Sequence, residues 1–313
     1  MNQSSGGKCR ERTRRTACTG AQGYQEGRLH HPEPIYDRHI FCGFSAVIES
    51  LNGSVALSLN DVGESARHFN IAAIFIGWAV LFDFLDGRVA RMTNSTTKFG
   101  VEFDSIADVL TFGIAPAMLA YCWGYGFLPE FGRVPWAVSF LYLICGALRL
   151  ARFNVQASKP SLQKPGASPK LDKKAFVGMP IPAGASLIAA IVHAAKVPAS
   201  QTTSTIELFG RTYVVGPHGW ATAMLVLVAL LGVLMVSTFR YTSFKSIGPL
   251  SRNPRLVILL IAVGLSAVYY YSEWTLLTIS VLYALHGIVG KIAGLIRRVF
   301  VSPAHEGTQS TDS

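Results

Sequence analysis

The chain has 313 residues, of which 50% are hydrophobic and only 15% are charged, and its apolar residues lie in runs of about twenty. Such a balance is typical of a polytopic helical membrane protein. The five unpatterned cysteines exclude a disulfide framework, and the formal net charge of +10 is better explained by basic cytoplasmic loops than by nucleic-acid binding, so the expected partner is a lipid bilayer and no nucleic acid.

Residues 1–39 form a polar and basic N-terminal segment, with Cys9-Arg-Glu-Arg-Thr-Arg-Arg15 at its centre. The segment lacks the apolar core of a signal peptide. Arg14 and Arg15 are not followed directly by the apolar region that a twin-arginine signal requires. We therefore predict a disordered cytoplasmic tail over residues 1–39.

Eight apolar segments follow, and their lengths suit membrane-spanning helices. They cover residues 40–59, 68–85, 104–123, 135–151, 178–197, 219–238, 254–271 and 274–296, with boundaries accurate to a few residues. The prediction is an all-α polytopic membrane protein with about eight transmembrane helices. Residues 40–238 would form a six-helix catalytic core, residues 239–298 two additional helices, and residues 299–313 a disordered tail.

The basic residues are distributed unevenly between the two sides of this arrangement. All but four of the 28 Lys and Arg residues fall in the tails or in the loops that eight crossings place on one side. The exceptions are Arg67, Arg133, Lys196 and Arg211. By the positive-inside rule the basic side is cytoplasmic. We therefore expect a multi-pass protein of the cell (inner) membrane, with both termini in the cytoplasm.

Two pairs of carboxylates lie at the edges of adjacent apolar segments, where an ionised side chain is costly unless it is paired, hydrated or bound to a cation. Asp83 and Asp86 are three residues apart at the end of the second segment, and Asp104 and Asp108 are four apart at the start of the third. Each pair shares one helical face, so antiparallel packing would bring all four together. Because no His or Cys lies between residues 69 and 121, the donors are oxygens, which suit Mg²⁺, Mn²⁺ or Ca²⁺ rather than zinc.

The carboxylates are also compatible with two roles that involve no catalysis. A structural network with Arg88 and Arg91 would balance the charges, although it needs no four-acid geometry. A cation transporter also uses intramembrane acids. It has no evident use, however, for the Gly-x2-Ala-Arg spacing that follows Asp86.

The spacing Asp-x2-Asp-Gly-x2-Ala-Arg-x8-Gly-x3-Asp-x3-Asp over residues 83–108 resembles, without a mismatch, the signature of the CDP-alcohol phosphatidyltransferase family. The resemblance implies a membrane enzyme that displaces CMP from a CDP-linked lipid or alcohol. It implies two divalent cations held by Asp83, Asp86, Asp104 and Asp108, with Asp108 also acting as general base. It further implies a CDP pocket lined by Gly87, Ala90, Arg91 and Gly100.

Two later blocks resemble the phosphatidylserine synthase branch of that family. They are Cys145-Gly-Ala-Leu-Arg149-Leu-Ala-Arg152-Phe-Asn154 and Phe176-Val-Gly-Met-Pro180-Ile-Pro182. This resemblance implies CDP-diacylglycerol and L-serine as substrates. Glycerol phosphate, inositol or choline is the alternative acceptor within the family.

Arg149 and Arg152 are three residues apart and share a helical face, so one could bind the serine carboxylate and the other a lipid phosphate. Their alternative role is positive-inside anchoring, with side-chain stems that snorkel to the membrane surface. The sequence leaves both roles open.

The segment before the first apolar run departs from the family pattern. The family usually has a Pro-Asn-x2-Thr-x2-Asn motif there, whereas this chain has Pro32-Glu-Pro-Ile-Tyr-Asp-Arg-His39. Either the motif has diverged, or residues 1–39 arise from a misplaced start or an upstream frameshift. Its absence would remove the nucleotide contacts that this motif implies.

Three features outside the motifs give further expectations. Residues 206–215 predict a short external hairpin, and the Tyr269–Tyr271 run with Trp274 indicates an interfacial aromatic belt. The small residues Gly287, Gly290 and Gly294 permit close helix approach, either within the chain or in a homodimer.

Overall fold

The computed structural model describes residues 36–93, 98–126, 128–158, 176–208, 211–237, 240–241 and 254–301. Most of the predicted basic tail, residues 1–35, and the C-terminal residues 302–313 lie outside these ranges. Helix dominates what is described, as the long apolar runs predicted.

The described helices are α1 (Tyr36–Ser58), α2 (Val62–Thr93), α3 (Lys98–Asp108), α4 (Ala115–Ala120), α5 (Val134–Ser158), α6 (Ile181–Ala195), α7 (Pro217–Val236), α8 (Pro254–Tyr270) and α9 (Ser272–Val301). Two π-helical segments, π1 (Val109–Ile114) and π2 (Tyr121–Tyr125), extend α3 and α4 into one helical stretch. Each of the eight predicted apolar segments therefore corresponds to a helix. The predicted all-α polytopic membrane fold is confirmed.

Six helical stretches in the described residues are long and apolar enough to cross a bilayer. They are Arg38–Ser58, Val62–Val89, Gly100–Tyr125, Val134–Val155, Ile181–Gln201 and Pro217–Val236. These spans match the first six predicted segments, and α8 and α9 follow them.

Helix α2 is longer than its apolar run at both ends. It begins after Asp61, whose carboxylate accepts a hydrogen bond from the Glu64 backbone N–H at 3.0 Å and so satisfies one of the free donors of the first turn. It continues through Asp83 and Asp86 to Thr93. Hydropathy alone placed the end near residue 85, because it registers side-chain polarity and not backbone hydrogen bonding.

The helices pack around a central core beside the third span. Helices α1 and α2 are joined by a tight turn in which Asn60 has a φ of 62°, and α1 also packs on π1, α4 and π2. Helix α2 packs on α6, α6 on α9, and α5 on α7. The largest fully buried side chains include Tyr125, Tyr142, Phe69, Phe112 and Ile76.

Segment π1 is held by a polar contact from α5. The Tyr142 hydroxyl donates to the Phe112 carbonyl at 3.2 Å, and both residues are fully buried. A π-helical turn changes the backbone pairing of an α-helix, so a side-chain donor at this carbonyl stabilises the irregularity. The irregular turn comes directly after Asp108.

Two small antiparallel sheets join the loops. Strand β1 (Phe176–Val177) pairs with β4 (Arg240–Tyr241), so the segment before α6 is tied to the segment after α7. Strands β2 (Ser204–Leu208) and β3 (Arg211–Val215) form a hairpin between α6 and α7. This hairpin confirms the one predicted over residues 206–215.

A polar cluster fixes the start of α9 against α2 and α6. His193 Nδ1 lies 2.6 Å from Asn70 Oδ1, and His193 Nε2 lies 3.0 Å from Ser272 Oγ. Beside it, Lys196 pairs with Glu273 at 3.2 Å. These contacts join α2, α6 and the start of α9.

Candidate active site

The structure brings the two predicted carboxylate pairs together. Asp83 and Asp86 lie in the C-terminal half of α2, and Asp104 and Asp108 lie in α3. Asp83 and Asp86 each interact electrostatically with Asp104, and Asp108 interacts with both Asp83 and Asp104. Four like charges on two adjacent helices are mutually repulsive without a cation.

Several oxygen atoms of this acidic cluster, which consists of Asp83, Asp86, Asp104 and Asp108, are buried without a hydrogen bond among the described residues. Both side-chain oxygens of Asp86 and Oδ1 of Asp108 are buried and have no hydrogen-bond partner among the described residues. A buried carboxylate oxygen without a partner carries a substantial desolvation cost. Charges of opposite sign lie nearby, since Arg38 interacts with Asp86, and Arg149 with Asp108.

An imidazole joins the cluster from outside the motif. His39, in the first turns of α1, is completely buried. One ligand atom each from His39, Asp104 and Asp108 lie within 4.8 Å of one another. The prediction of oxygen donors considered only residues 69–121, and this histidine lies outside that range on a different helix. In the sequence, the only signal for His39 is its place directly before the apolar segment that begins at residue 40.

These donors fit a divalent cation. Carboxylate oxygens and an imidazole nitrogen are common ligands of such ions, and the unpartnered oxygens of Asp86 and Asp108 need a positive or hydrogen-bonding group. The donors also come from two spans packed together, α1 and the α3–π2 stretch, with the α2 carboxylates adjoining. The site is thus held by tertiary packing.

The two arginines of α5 lie in different surroundings. Arg149 is half-buried, its Nε atom has no hydrogen-bond partner among the described residues, and its guanidinium interacts electrostatically with Asp108 and with Tyr283 of α9. Arg152 is exposed. Two residues after Arg152, the Asn154 side chain donates to Ser105 Oγ at 2.7 Å and joins the end of α5 to α3.

The predicted nucleotide residues lie between the two carboxylate pairs along the chain. Gly87 is exposed in α2, one residue after Asp86, and Gly100 is half-buried in α3, one turn before Asp104. Ala90 and Arg91 lie in the last turns of α2, but their side chains are outside the described part of the structure.

An apolar groove runs beside the acidic cluster, between α1 and α2. The groove is open along one side, has a volume of about 640 Å³ and is lined by Arg38, Phe41, Cys42, Phe75, Trp78 and Phe82. Arg38 also interacts with Asp86. The groove thus places aromatic walls and a guanidinium next to the carboxylates, which suits a molecule with a phosphate at one end and a hydrocarbon chain at the other.

Comparison with known proteins gives a consistent result. The family model for CDP-alcohol phosphatidyltransferase matches residues 40–213. A CDP-diacylglycerol–serine O-phosphatidyltransferase of Helicobacter pylori is 37% identical over 237 residues, which cover 75% of this chain and 86% of the relative. The enzyme of that name from Methanocaldococcus jannaschii is 30% identical over 69% of this chain and 82% of its own length. The enzyme of the same name from Saccharomyces cerevisiae is 34% identical over 54% of this chain and 55% of its own length.

Proposed function

The chain belongs to the CDP-alcohol phosphatidyltransferase family, and we infer that it is a CDP-diacylglycerol–serine O-phosphatidyltransferase. The reaction transfers a phosphatidyl group from CDP-diacylglycerol to the hydroxyl of L-serine and releases CMP. The observation that carries the choice of acceptor is the similarity to two relatives of that name over more than four-fifths of their length.

The electrostatic interaction between Arg149 and Asp108 supports serine as the acceptor. In serine, two carbon atoms separate the carboxylate from the hydroxyl group, so a molecule held by its carboxylate presents its hydroxyl close by. A half-buried guanidinium is a strong receptor for a carboxylate. With serine bound to Arg149, the neighbouring Asp108 would face the hydroxyl that reacts.

Asp108 acts as the general base in this proposal. The serine oxygen attacks the phosphorus of the phosphatidyl group, the bond from that phosphorus to the CMP oxygen breaks, and the hydroxyl proton passes to the Asp108 carboxylate.

The four aspartates would hold Mg²⁺ or Mn²⁺, which when bound neutralises the diphosphate and stabilises the CMP leaving group. The cytidine diphosphate would lie along Gly87, Ala90, Arg91 and Gly100, where the two glycines let it approach the backbone. Ca²⁺ offers the same preference for oxygen ligands and is the competing ion.

The groove between α1 and α2 would accommodate an acyl chain of CDP-diacylglycerol. Its aromatic lining is open to the apolar surroundings of the helices: Phe41 is 64% exposed and Trp78 is 50% exposed. Arg38 at the groove is placed to pair with a phosphate of the same lipid. A lipid bound in this way has its diphosphate at the acidic cluster.

The orientation that we propose follows from charge. The parts of α2 and α3 that carry the four aspartates would border the basic side of the membrane, which the positive-inside rule makes cytoplasmic. The site and both termini would then face the cytoplasm, where serine is available.

The test is CMP release by the purified full-length protein in detergent with CDP-diacylglycerol and a panel of alcohols. L-serine should support turnover, whereas glycerol 3-phosphate, inositol and choline should not. Ethanolamine is the matched control, because it keeps the amine and hydroxyl of serine but lacks the carboxylate. Turnover with ethanolamine equal to that with serine would contradict recognition through Arg149, and turnover with another alcohol alone would contradict the proposed acceptor.

A further inference from the structure

His39 is buried in a way that demands a partner. Its side chain is completely buried, yet neither ring nitrogen has a hydrogen-bond partner among the described residues. Burying a polar group without a hydrogen bond costs free energy, and most buried polar groups in proteins are paired. Nothing in the family match assigns a role to this residue, because the match begins at residue 40.

The orientation of the imidazole is fixed by α1 and π1. The ring stacks on Phe112 with a centroid distance of 6.2 Å and an interplanar angle of 6°. The Thr111 hydroxyl donates to the His39 carbonyl at 3.3 Å. One turn later, Gly43 allows α1 to approach Thr111, since a Cβ at position 43 would lie 2.6 Å from Thr111 Oγ1. The imidazole therefore lies in a packed position.

The imidazole is directed into the acidic cluster. One of its nitrogens and one carboxylate oxygen each from Asp104 and Asp108 lie within 4.8 Å of one another. Ligands at about 2.1 Å from an octahedral ion lie roughly 3.0 to 4.2 Å apart. A small inward movement of these side chains would therefore suffice to bind one ion.

We propose that His39 is a nitrogen ligand of the divalent cation that Asp104 and Asp108 hold. The inference rests on the cation site of the proposed function and adds a ligand to it. An imidazole suits transition-metal ions, whereas Mg²⁺ and Ca²⁺ prefer an all-oxygen set. His39 thus favours Mn²⁺ over Mg²⁺ and Ca²⁺ at this position.

The test is pulsed electron paramagnetic resonance of Mn²⁺ bound to the purified full-length protein. The wild-type spectrum should contain the coupling of a directly bound ¹⁴N nucleus, and His39→Gln should abolish it. The Mn²⁺ dissociation constant, from the signal of free Mn²⁺, should rise about tenfold in His39→Gln. The Mg²⁺ dissociation constant, measured by competition with Mn²⁺, should rise by a smaller factor than the Mn²⁺ constant. His193→Gln is the matched control and should keep both the coupling and the affinity, because His193 pairs with Asn70 and Ser272.

Labelling the wild-type protein with ¹⁵N-histidine provides a test that needs no variant, in case His39→Gln does not fold. The ¹⁴N coupling should then be replaced by a ¹⁵N coupling. Tight Mn²⁺ binding and serine-dependent CMP release without any nitrogen coupling would overturn His39 ligation while leaving the proposed function intact. Failure to bind any divalent cation would instead overturn the cation site itself.

Discussion

Asp108 differs from the other three aspartates because Arg149 lies within electrostatic reach of it. We expect Asp108→Asn to lower kcat by about 100- to 10,000-fold. Binding of CDP-diacylglycerol should be retained better than in Asp83→Asn or Asp86→Asn, because a base acts mainly in the transition state whereas cation ligands also hold the ground-state complex. Steady-state CMP release and equilibrium lipid binding measure the two effects.

Glu102→Gln is the control for this series, since Glu102 is exposed on the same helix as Asp104 and Asp108. It should leave both kcat and lipid binding close to wild type. An equal loss of lipid binding in Asp108→Asn and the two α2 variants would contradict the assignment of Asp108 as base.

The unpartnered carboxylate oxygens predict dependence on a divalent cation. Excess chelator should abolish CMP release, and Mg²⁺ or Mn²⁺ should restore it, because the aspartates repel one another without a cation. A cation that binds only the folded state should also raise the thermal unfolding midpoint. Undiminished turnover in excess chelator would rule out the cation site.

Arg149 and Arg152, which the sequence could not separate, now have different expected phenotypes. Arg149→Lys should raise the KM for serine about ten- to a hundredfold, since a charge-assisted hydrogen bond contributes about 1.5 to 3 kcal/mol and lysine cannot reproduce the planar fork. Arg152→Lys serves as the matched control, because Arg152 is exposed. An unchanged serine KM in Arg149→Lys would return Arg149 to an anchoring role.

Among the individual site residues, the sequence predicted which carboxylates lie close together, because spacing along two helices determines which residues share a face. It could not predict His39, which reaches Asp104 and Asp108 from a helix more than sixty positions earlier in the chain. Such a contact depends on how α1 packs against π1. Local spacing contains no information about that packing.

The packing of α1 against π1 is tested by one glycine. A Cβ at Gly43 would lie 2.8 Å from Thr111 Cα, so Gly43→Ala must separate the two helices. We expect a loss of about 1 to 3 kcal/mol in the free energy of unfolding, measured as a lower thermal midpoint in detergent, together with reduced turnover because His39 moves with α1.

Gly77→Ala is the control for the same substitution in a spanning helix. A Cβ at Gly77 would meet nothing within 4 Å. The midpoint should stay unchanged or rise slightly, because alanine favours helix more than glycine does. Equal effects at positions 43 and 77 would show that close approach of α1 to π1 does not limit stability.

The segments π1 and π2 are secondary-structure elements whose π-helical geometry the sequence did not predict. The apolar segment 104–123 predicted a spanning helix, and its apolar content does not distinguish α-helical from π-helical turns. Formation of π1 is favoured by tertiary contacts, among them the hydrogen bond from the Tyr142 hydroxyl to the Phe112 carbonyl. Apolar periodicity therefore identified the span but not its internal geometry.

For the whole molecule, the charge distribution predicts that the β2–β3 hairpin faces outward and the end of α5 faces the cytoplasm. Single cysteines would be introduced after the five native cysteines have been replaced. In intact cells, a membrane-impermeant maleimide should label Glu207→Cys, whereas Val155→Cys should react only after permeabilisation. Both positions are exposed in the structure. The opposite labelling pattern would invert the proposed orientation.

The overall architecture could be predicted because long apolar runs leave few alternatives to helix in a bilayer. The sequence could not predict which helices pack against one another, since this depends on contacts such as those of His193 with Asn70 and Ser272.

The homodimer stays a prediction. Gly287 is buried within the chain, as expected for packing inside one molecule, and the surroundings of Gly290 and Gly294 lie outside the described part of the structure.

Segment π1 also bears on which insertions and deletions a lineage of such enzymes can tolerate. Removing one residue from Val109–Ile114 would shorten the span by only about 1.5 Å, so insertion into the membrane should survive. A π-helical turn holds about one residue more than an α-helical turn, so conversion of π1 to α-helix would take up the same deletion and keep Asp104 and Asp108 near their places relative to α4. Selection on catalysis should therefore tolerate the loss of one residue between Asp108 and Ala115 better than the loss of one residue between Asp83 and Asp86, where α2 is regular α-helix.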